Sequence, residues 1–149
     1  MYAVIWVNPT MVGQLLSKGA DLKLVDEYGN TVLHLLFHRQ IFSIDTNLKD
    51  IESITKQLRA KGAAVNVANK GGDMPLIEAC HRGGYRRDHA GTVIDLLLDA
   101  GATTNDRNKK GECALYFAIM LNSTEMVRSL TKQGINVNDR FVGSLPTTA

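Results

Sequence analysis

A chain of 149 residues with 44% apolar and 21% charged residues has the composition of a folded protein and excludes an intrinsically disordered one. Its formal net charge of +2 is too near zero to argue for a nucleic-acid partner. Its longest apolar runs, 3–7 and 32–37, fall far short of the roughly 20 residues that a membrane-spanning helix needs.

In chain order, the first amphipathic stretch is 11–16, where Met11, Val12, Leu15 and Leu16 recur at helical spacing. Gly19-Ala20 follows it, and a glycine just past a helix suits a left-handed C-cap. Ten positions after Gly19, Gly29 opens a tight turn that leads into an apolar helix start, Thr31-Val32-Leu33-His34. The same order of parts then recurs. A helix over 51–58 is followed by Gly62-Ala63, and ten positions on Gly72 precedes Met74-Pro75-Leu76-Ile77. A helix over 93–98 is followed by Gly101-Ala102, and Gly111 precedes Cys113-Ala114-Leu115-Tyr116. A weaker copy has its helix at 126–130, then Gly134-Ile135, with Gly143 nine positions on. Self-similarity at a period of tens of residues means a stacked repeat architecture, in which neither helix of a pair can bury its apolar face without the neighbouring pair.

The units differ in length. Gly111 to Gly134 spans 23 positions, Gly72 to Gly101 spans 29 and Gly29 to Gly62 spans 33. The extra residues are expected between the two helices of their units, near 39–50 and 83–89. In the first, Ile41, Phe42, Leu48 and Ile51 continue helical spacing and predict longer helices around a turn near 43–46. In the second, Gly83-Gly84 reads as a loop, with Asp88 as the N-cap of a helix running to Asp99.

These residues closely resemble the ankyrin repeat. The segment from Asp26 to His34 matches the family's opening pattern, as does Gly72 to Ala79, and Leu15 to Asp21 and Leu97 to Ala102 match its closing pattern, with Asn66, Asn105 and Asn138 closing three units. The resemblance covers essentially the whole chain. It implies an all-α solenoid of stacked helix-turn-helix units, joined by β-hairpin-like fingers, with the first helices lining a concave face. The expected organisation is a single domain over 1–149, with three full repeats at 26–68, 69–107 and 108–140 and partial ones at 1–25 and 141–149. Neither end looks like a polar cap, so the chain is expected to be a segment of a longer array or multidomain protein.

Candidate chemistry is sparse. His34 and His38 are four apart on one helix, a spacing that can serve a metal, and Cys80-His81 could be imagined completing the site. The resemblance instead makes His34 the motif's own histidine, bonded to backbone at the finger base, and puts Cys80 at a small core position, so no metal and no cofactor are expected. Both Cys80 and Cys113 read as buried free thiols of a reducing compartment. With no basic segment followed by a long apolar stretch at the start, no secretory signal is expected. The serines lack a Gly-x-Ser-x-Gly elbow and no phosphate-binding glycine loop is present, so no catalysis is expected from this sequence.

The resemblance implies a protein-recognition module, inside the cell and most simply in the cytoplasm, or in a host cytoplasm if the protein is a delivered effector. The alternative is a regulatory or targeting segment of a larger enzyme or effector whose catalysis lies outside this sequence. Partner-facing residues are expected at finger tips and at the exposed ends of first helices: Tyr28, Asn30, His38, Arg39, Lys70, Asp73, His81, Arg82, Lys109, Lys110, Met120 and Leu121, with Arg86 from the second insertion. The excess of Arg and Lys among them suggests a partner segment bearing carboxylates. A rival patch is the ridge of the two insertions, with Phe42, Ile44, Tyr85 and Arg86.

Overall fold

The computed structural model describes residues 2–38, 47–82 and 87–138, with the side chains of Tyr2, Arg82, Arg87 and Asp88 outside the description. The described residues form eight helices in four successive pairs: α1 (Tyr2–Ile5) with α2 (Pro9–Ser17), α3 (Val32–Phe37) with α4 (Leu48–Ala60), α5 (Pro75–Arg82) with α6 (Arg87–Asp99), and α7 (Ala114–Met120) with α8 (Thr124–Lys132). First helices stack on first helices, α1 on α3, α3 on α5 and α5 on α7. Second helices stack likewise, α2 on α4, α4 on α6 and α6 on α8. One continuous apolar core runs through both rows from Ala3 and Val4 to Leu130 and Ile135.

Local chemistry sets the helix ends. Asn8 accepts a hydrogen bond from the Met11 amide (2.9 Å) ahead of Pro9, which needs no donor in the first turn. Asn47 caps α4 through the Lys49 amide (3.0 Å), and Ser123 caps α8 through the Met126 amide (3.4 Å). At the other ends Gly19, Gly62, Gly101 and Gly134 adopt φ of 82°, 85°, 92° and 73°, the left-handed conformation expected of these caps.

Two sequence expectations change. Helix α3 stops at Phe37, because His38 leaves it in an extended conformation (ψ −168°) and sends its ring to Glu78 of the next unit, so the helical spacing of Ile41 and Phe42 is not carried through His38. Arg87 is already helical, which puts Asp88 inside the first turn of α6 and not at its cap. The turn at 43–46, the Gly83-Gly84 loop, the ridge residues Phe42, Ile44, Tyr85 and Arg86, and the segment 141–149 lie outside the described residues.

The segments between units fold back as fingers. Asp26 N donates to Asn30 O (3.1 Å), Asn69 N to Asp73 O (2.9 Å) and Asn108 N to Glu112 O (2.9 Å). Adjacent fingers are joined through backbone, Lys70 N to Tyr28 O (2.9 Å) and Lys109 N to Gly71 O (3.0 Å). At this approach a Cβ on Gly72, whose φ is +83°, would lie 2.7 Å from the Lys109 amide nitrogen, whereas one on Gly62 would meet nothing within 4 Å. Gly62→Ala is therefore expected to cost about 1 kcal/mol for its left-handed φ alone, and Gly72→Ala about 3 kcal/mol because backbone must also move. Urea denaturation of both variants would check the ordering.

His34 fastens one unit to the next. Its Nδ1 accepts from the Thr31 amide (3.1 Å) and faces the Thr31 hydroxyl (2.9 Å), while Nε2 lies 2.8 Å from the carbonyl oxygen of Asp73. The ring is thus neutral with its proton on Nε2, donated to that carbonyl. Burial holds its pKa below the ordinary histidine value of 6.5, against the opposing pull of the Asp73 carbonyl and of the Glu78, Asp73 and Asp26 charges. As pH falls past 6.5 the unfolded chain takes up this proton first, so stability present at higher pH is lost between that value and the lower folded one. Unfolding free energy is expected to fall by at most about 1.4 kcal/mol per pH unit in that window. His34→Gln should flatten the dependence in a series of urea titrations from neutral to acidic pH.

Candidate functional site

Each finger tip is shaped by one Asx side chain. Asp26 Oδ1 accepts from the amides of Tyr28 (2.9 Å) and Asn30 (2.8 Å), Asn69 Oδ1 from those of Gly71 (2.9 Å) and Asp73 (3.0 Å), and Asn108 Oδ1 from those of Lys110 (3.0 Å) and Glu112 (2.9 Å). An asparagine at this position has a second function that aspartate lacks. Asn69 Nδ2 donates back to Asn30 Oδ1 (3.0 Å), and Asn108 Nδ2 donates back to Asp73 Oδ1 (2.8 Å) as well as to Glu112 Oε2 (2.9 Å). The three fingers therefore form an amide ladder along the stack. Burial pushes the Asp26 carboxyl up, but the hydrogen bonds from Asn30 and Tyr28 outweigh it and hold the group below the usual range.

Where the first and second described fingers meet the ends of α3 and α5, they enclose a groove of about 340 Å³. Tyr28, Asn30, Asn69, Lys70, Gly71 and Asp73 line it from the fingers, and His38, Glu78 and His81 from the helices. Glu78 is buried at its floor and is paired with His38 Nδ1. The His81 ring stacks on Phe117 of the next unit, with centroids 4.6 Å apart and planes at 23°. The walls are thus held from both neighbouring units, and the groove is formed in advance of any occupant.

Six of the residues expected to face a partner come together here: Tyr28, Asn30, His38, Lys70, Asp73 and His81. Asn30 and Asp73 also carry the ladder, so their amide and carboxylate are partly committed to stacking. Lys109 and Lys110 are exposed on the third finger outside the groove, and Met120 is exposed at the end of α7. Leu121 is half-buried against the core. Arg39, Arg86 and the Arg82 side chain lie outside the description. The expected basic character is not a property of the described lining, where Lys70 is accompanied by Asp73 and Glu78.

Three lining residues were not among those expected to face a partner: Asn69, Gly71 and Glu78. Asn69 carried a signal, since it occupies the Asx position three residues before Gly72 that Asp26 and Asn108 occupy before Gly29 and Gly111. Glu78 carried one too, as the only charged residue in the apolar start of α5. Among the described residues no group of three or more His, Cys, Asp or Glu side chains is placed to hold a metal ion, and both ring nitrogens of His34 are engaged within the fold. Burial, reinforced by the neighbouring Cys113, pushes the Cys80 thiol far above its ordinary value, which leaves it a core side chain and not a nucleophile.

Because Asn108 is buried and serves two amides and two carboxylates, Asn108→Ala should cost about 2 kcal/mol through the groups it leaves unpaired. Asn108→Asp should be worse at neutral pH than at pH near 4, since it sets a third carboxylate between Asp73 and Glu112. Thermal unfolding at the two pH values would show the difference.

Comparison with known proteins gives a consistent picture. The family model described as ankyrin repeats, in three copies, matches residues 42–141. Ankyrin repeat protein L371 of Acanthamoeba polyphaga mimivirus is 27% identical over 139 residues, covering 93% of this chain and 17% of that protein. The phosphocholine transferase AnkX of Legionella pneumophila is 26% identical over 126 residues, covering 85% of this chain and 12% of that enzyme. The B-cell lymphoma 3 protein homolog of Mus musculus is 27% identical, covering 89% of this chain and 34% of that protein. The chain thus spans no more than about a third of the length of these curated relatives.

Proposed function

The chain belongs to the ankyrin-repeat family, and from that premise we propose that it is a protein-recognition module which grips a partner segment in the groove between its finger tips and first helices. The observation that carries this reading is the convergence of Tyr28, Lys70, His38 and His81 on one groove whose walls are already hydrogen-bonded or stacked. A preformed site spares the partner the cost of ordering the module, so modest contact area suffices for binding. Exposed Tyr28 supplies a rigid aromatic face of the kind that dominates interface energetics, and Lys70 supplies the charge beside it. The module acts by surface complementarity inside the cell, with no turnover of its own. A preference for a partner segment bearing carboxylates would come from Arg39, Lys70, Arg82 and Lys109 together.

The likeness to the phosphocholine transferase favours a second reading, in which such a module targets or regulates a larger enzyme whose catalysis lies elsewhere in its chain. The two readings share the groove and differ in what is attached to it.

Both Tyr28 and Lys70 are exposed, so Tyr28→Ala with Lys70→Glu should leave the fold intact and weaken capture of a partner by about tenfold or more. Affinity purification followed by titration of the recovered protein would read this, and unchanged affinity would remove the groove from the binding surface. Alanine at Arg39, Arg82 and Lys109 together should weaken the same partner most at low salt; equal loss at all salt concentrations would rule out an acidic segment.

A further inference from the structure

The three finger tips are built alike, and one of them lacks a side chain. Tyr28, Gly71 and Lys110 hold the same place, each amide donating to the Asx Oδ1 of its finger (2.9, 2.9 and 3.0 Å). The amides that follow, of Gly29, Gly72 and Gly111, donate to the Asx carbonyls, at 2.9 Å in all three. Those second glycines take a positive φ, whereas Tyr28, Gly71 and Lys110 do not. The backbone at 71 therefore asks for no glycine, and one there costs stability through the freedom it gives the unfolded chain.

What the glycine leaves is a gap that opens on the groove, where Gly71 lies with Tyr28, Lys70 and Asp73. A Cβ at 71 would lie 3.1 Å from Asp73 Oδ2 and 3.2 Å from Asn69 Oδ1, so two oxygens face the open place. Asn69 Oδ1 already accepts from two amides, and Asp73 Oδ1 accepts from Asn108. Asp73 Oδ2 receives no hydrogen bond among the described residues. Crowding does not itself demand the glycine. Oδ2 is the free end of a side chain, and the other fingers place Asn30 with Tyr28 and Glu112 with Lys110 at the same positions.

The occupant that fits this gap brings N–H donors and positive charge. The open acceptor belongs to a half-buried carboxylate, and buried Glu78 adds a second negative charge at the floor, shared with His38. A partner carboxylate in the gap would meet both as like charges. Lys70 also lines the groove, but it is exposed and so screened by water and salt more than the carboxylates are. Exposed Tyr28 offers an aromatic face of the kind on which a guanidinium stacks. A groove of about 340 Å³ has room for a long side chain, against the roughly 30 Å³ of one water.

We propose that the gap at Gly71 receives an arginine side chain of the partner segment, its stem across the Gly71 Cα and its guanidinium on Asp73 Oδ2. This rests on the reading of the groove as the recognition site and adds what enters it. Carboxylates of the same segment then fall to the lysines outside the groove, Lys109 and Lys110. Lysine in the partner is the weaker fit, because an ammonium lacks the planar fork that stacks and bonds at once.

The test is a titration of the 149-residue chain with the peptide acetyl-Gly-Ser-Arg-Ser-Gly-amide, followed by the amide NMR shifts of Tyr28, Gly71 and Asp73. These should saturate with a dissociation constant on the order of 1 mM, and binding should be about tenfold weaker with glutamine in place of the arginine. Asp73→Asn keeps an oxygen for Asn108 but turns the open acceptor into a donor, and should weaken the arginine peptide about tenfold. Gly71→Tyr, which copies the first finger, should abolish its binding, and both variants should keep a thermal midpoint close to the parent's. Equal affinity for the two peptides, no shifts up to about 20 mM, or full affinity in Asp73→Asn would each overturn the proposal. With a captured partner, loss of affinity in Tyr28→Ala with Lys70→Glu but not in Asp73→Asn or Gly71→Tyr keeps the groove and overturns the arginine. If the peptides behave as expected while that double variant leaves partner affinity unchanged, the preference of the gap stands and the groove reading falls.

Discussion

The stack depends on how closely one finger backbone lies on the next. Lys70 N reaches Tyr28 O and Lys109 N reaches Gly71 O, at distances that leave no room for a side chain on Gly72. A hydrogen bond between main chains is short and directional, so it fixes the rise from unit to unit far more tightly than apolar contact between helices could. The asparagine ladder repeats the same spacing through side chains: Asn69 and Asn108 each shape their own finger with the oxygen and hold the previous one with the nitrogen. Asn66 instead holds the following unit with both atoms, donating to Gly101 O (2.9 Å) and accepting from Thr103 N (3.0 Å). With the spacing set there, the helices bury their apolar faces at the distance the fingers dictate.

That economy shapes the candidate site. The groove is floored and walled by groups that also connect units, among them Asp73, whose carbonyl receives His34 and whose carboxylate receives Asn108. Glu78 reaches the neighbouring unit through His38, and His81 does so through its stack on Phe117. Residues that both hold the stack and line the groove give a rigid receptor, and they confine freely variable recognition to Tyr28, Lys70 and the exposed tips beyond. Protonation of His34 at low pH would break the bond that Nδ1 accepts from the Thr31 amide and keep the one that Nε2 donates to the Asp73 carbonyl, so it would loosen the start of α3 and leave the hold on the lining residue.

Unlike the fingers, the units are not interchangeable. The Thr31–His34 pair is used once; its counterparts are Met74 with buried Ile77 and Cys113 with half-buried Tyr116. A histidine lock thus operates between the second and third units, an apolar side chain takes its place at the next junction, and an edge-on Tyr116–Phe117 ring pair, 5.2 Å apart, supports the fourth unit. The same non-equivalence gives α2 the apolar Met11 and Leu15 where α8 has Met126 and Leu130 buried, and gives α8 an exposed hydroxyl at Thr131 where α2 has Leu16.

Much of this was legible in the residues alone, for a local reason. A left-handed φ is a demand on a single residue, so the recurrent glycines mark helix ends and finger tips wherever they stand, and the apolar spacing between them marks which helix faces are buried. The caps at Asn8 and Ser123 are equally local. What required the tertiary structure were the contacts between residues about forty positions apart. The helical spacing of Ile41 and Phe42 argues for a longer α3, yet His38 turns extended to meet Glu78, and no local propensity records that partner. The sum of basic residues suggested a positive groove, but only their placement sets Asp73 and Glu78 beside Lys70 and puts Lys109 and Lys110 outside it. By itself the sequence determined the repeated unit and its order, because those rest on backbone conformation and amphipathic period. Which side chains share a groove was decided by the rise and pairing of whole units, and those exist only in the assembled stack.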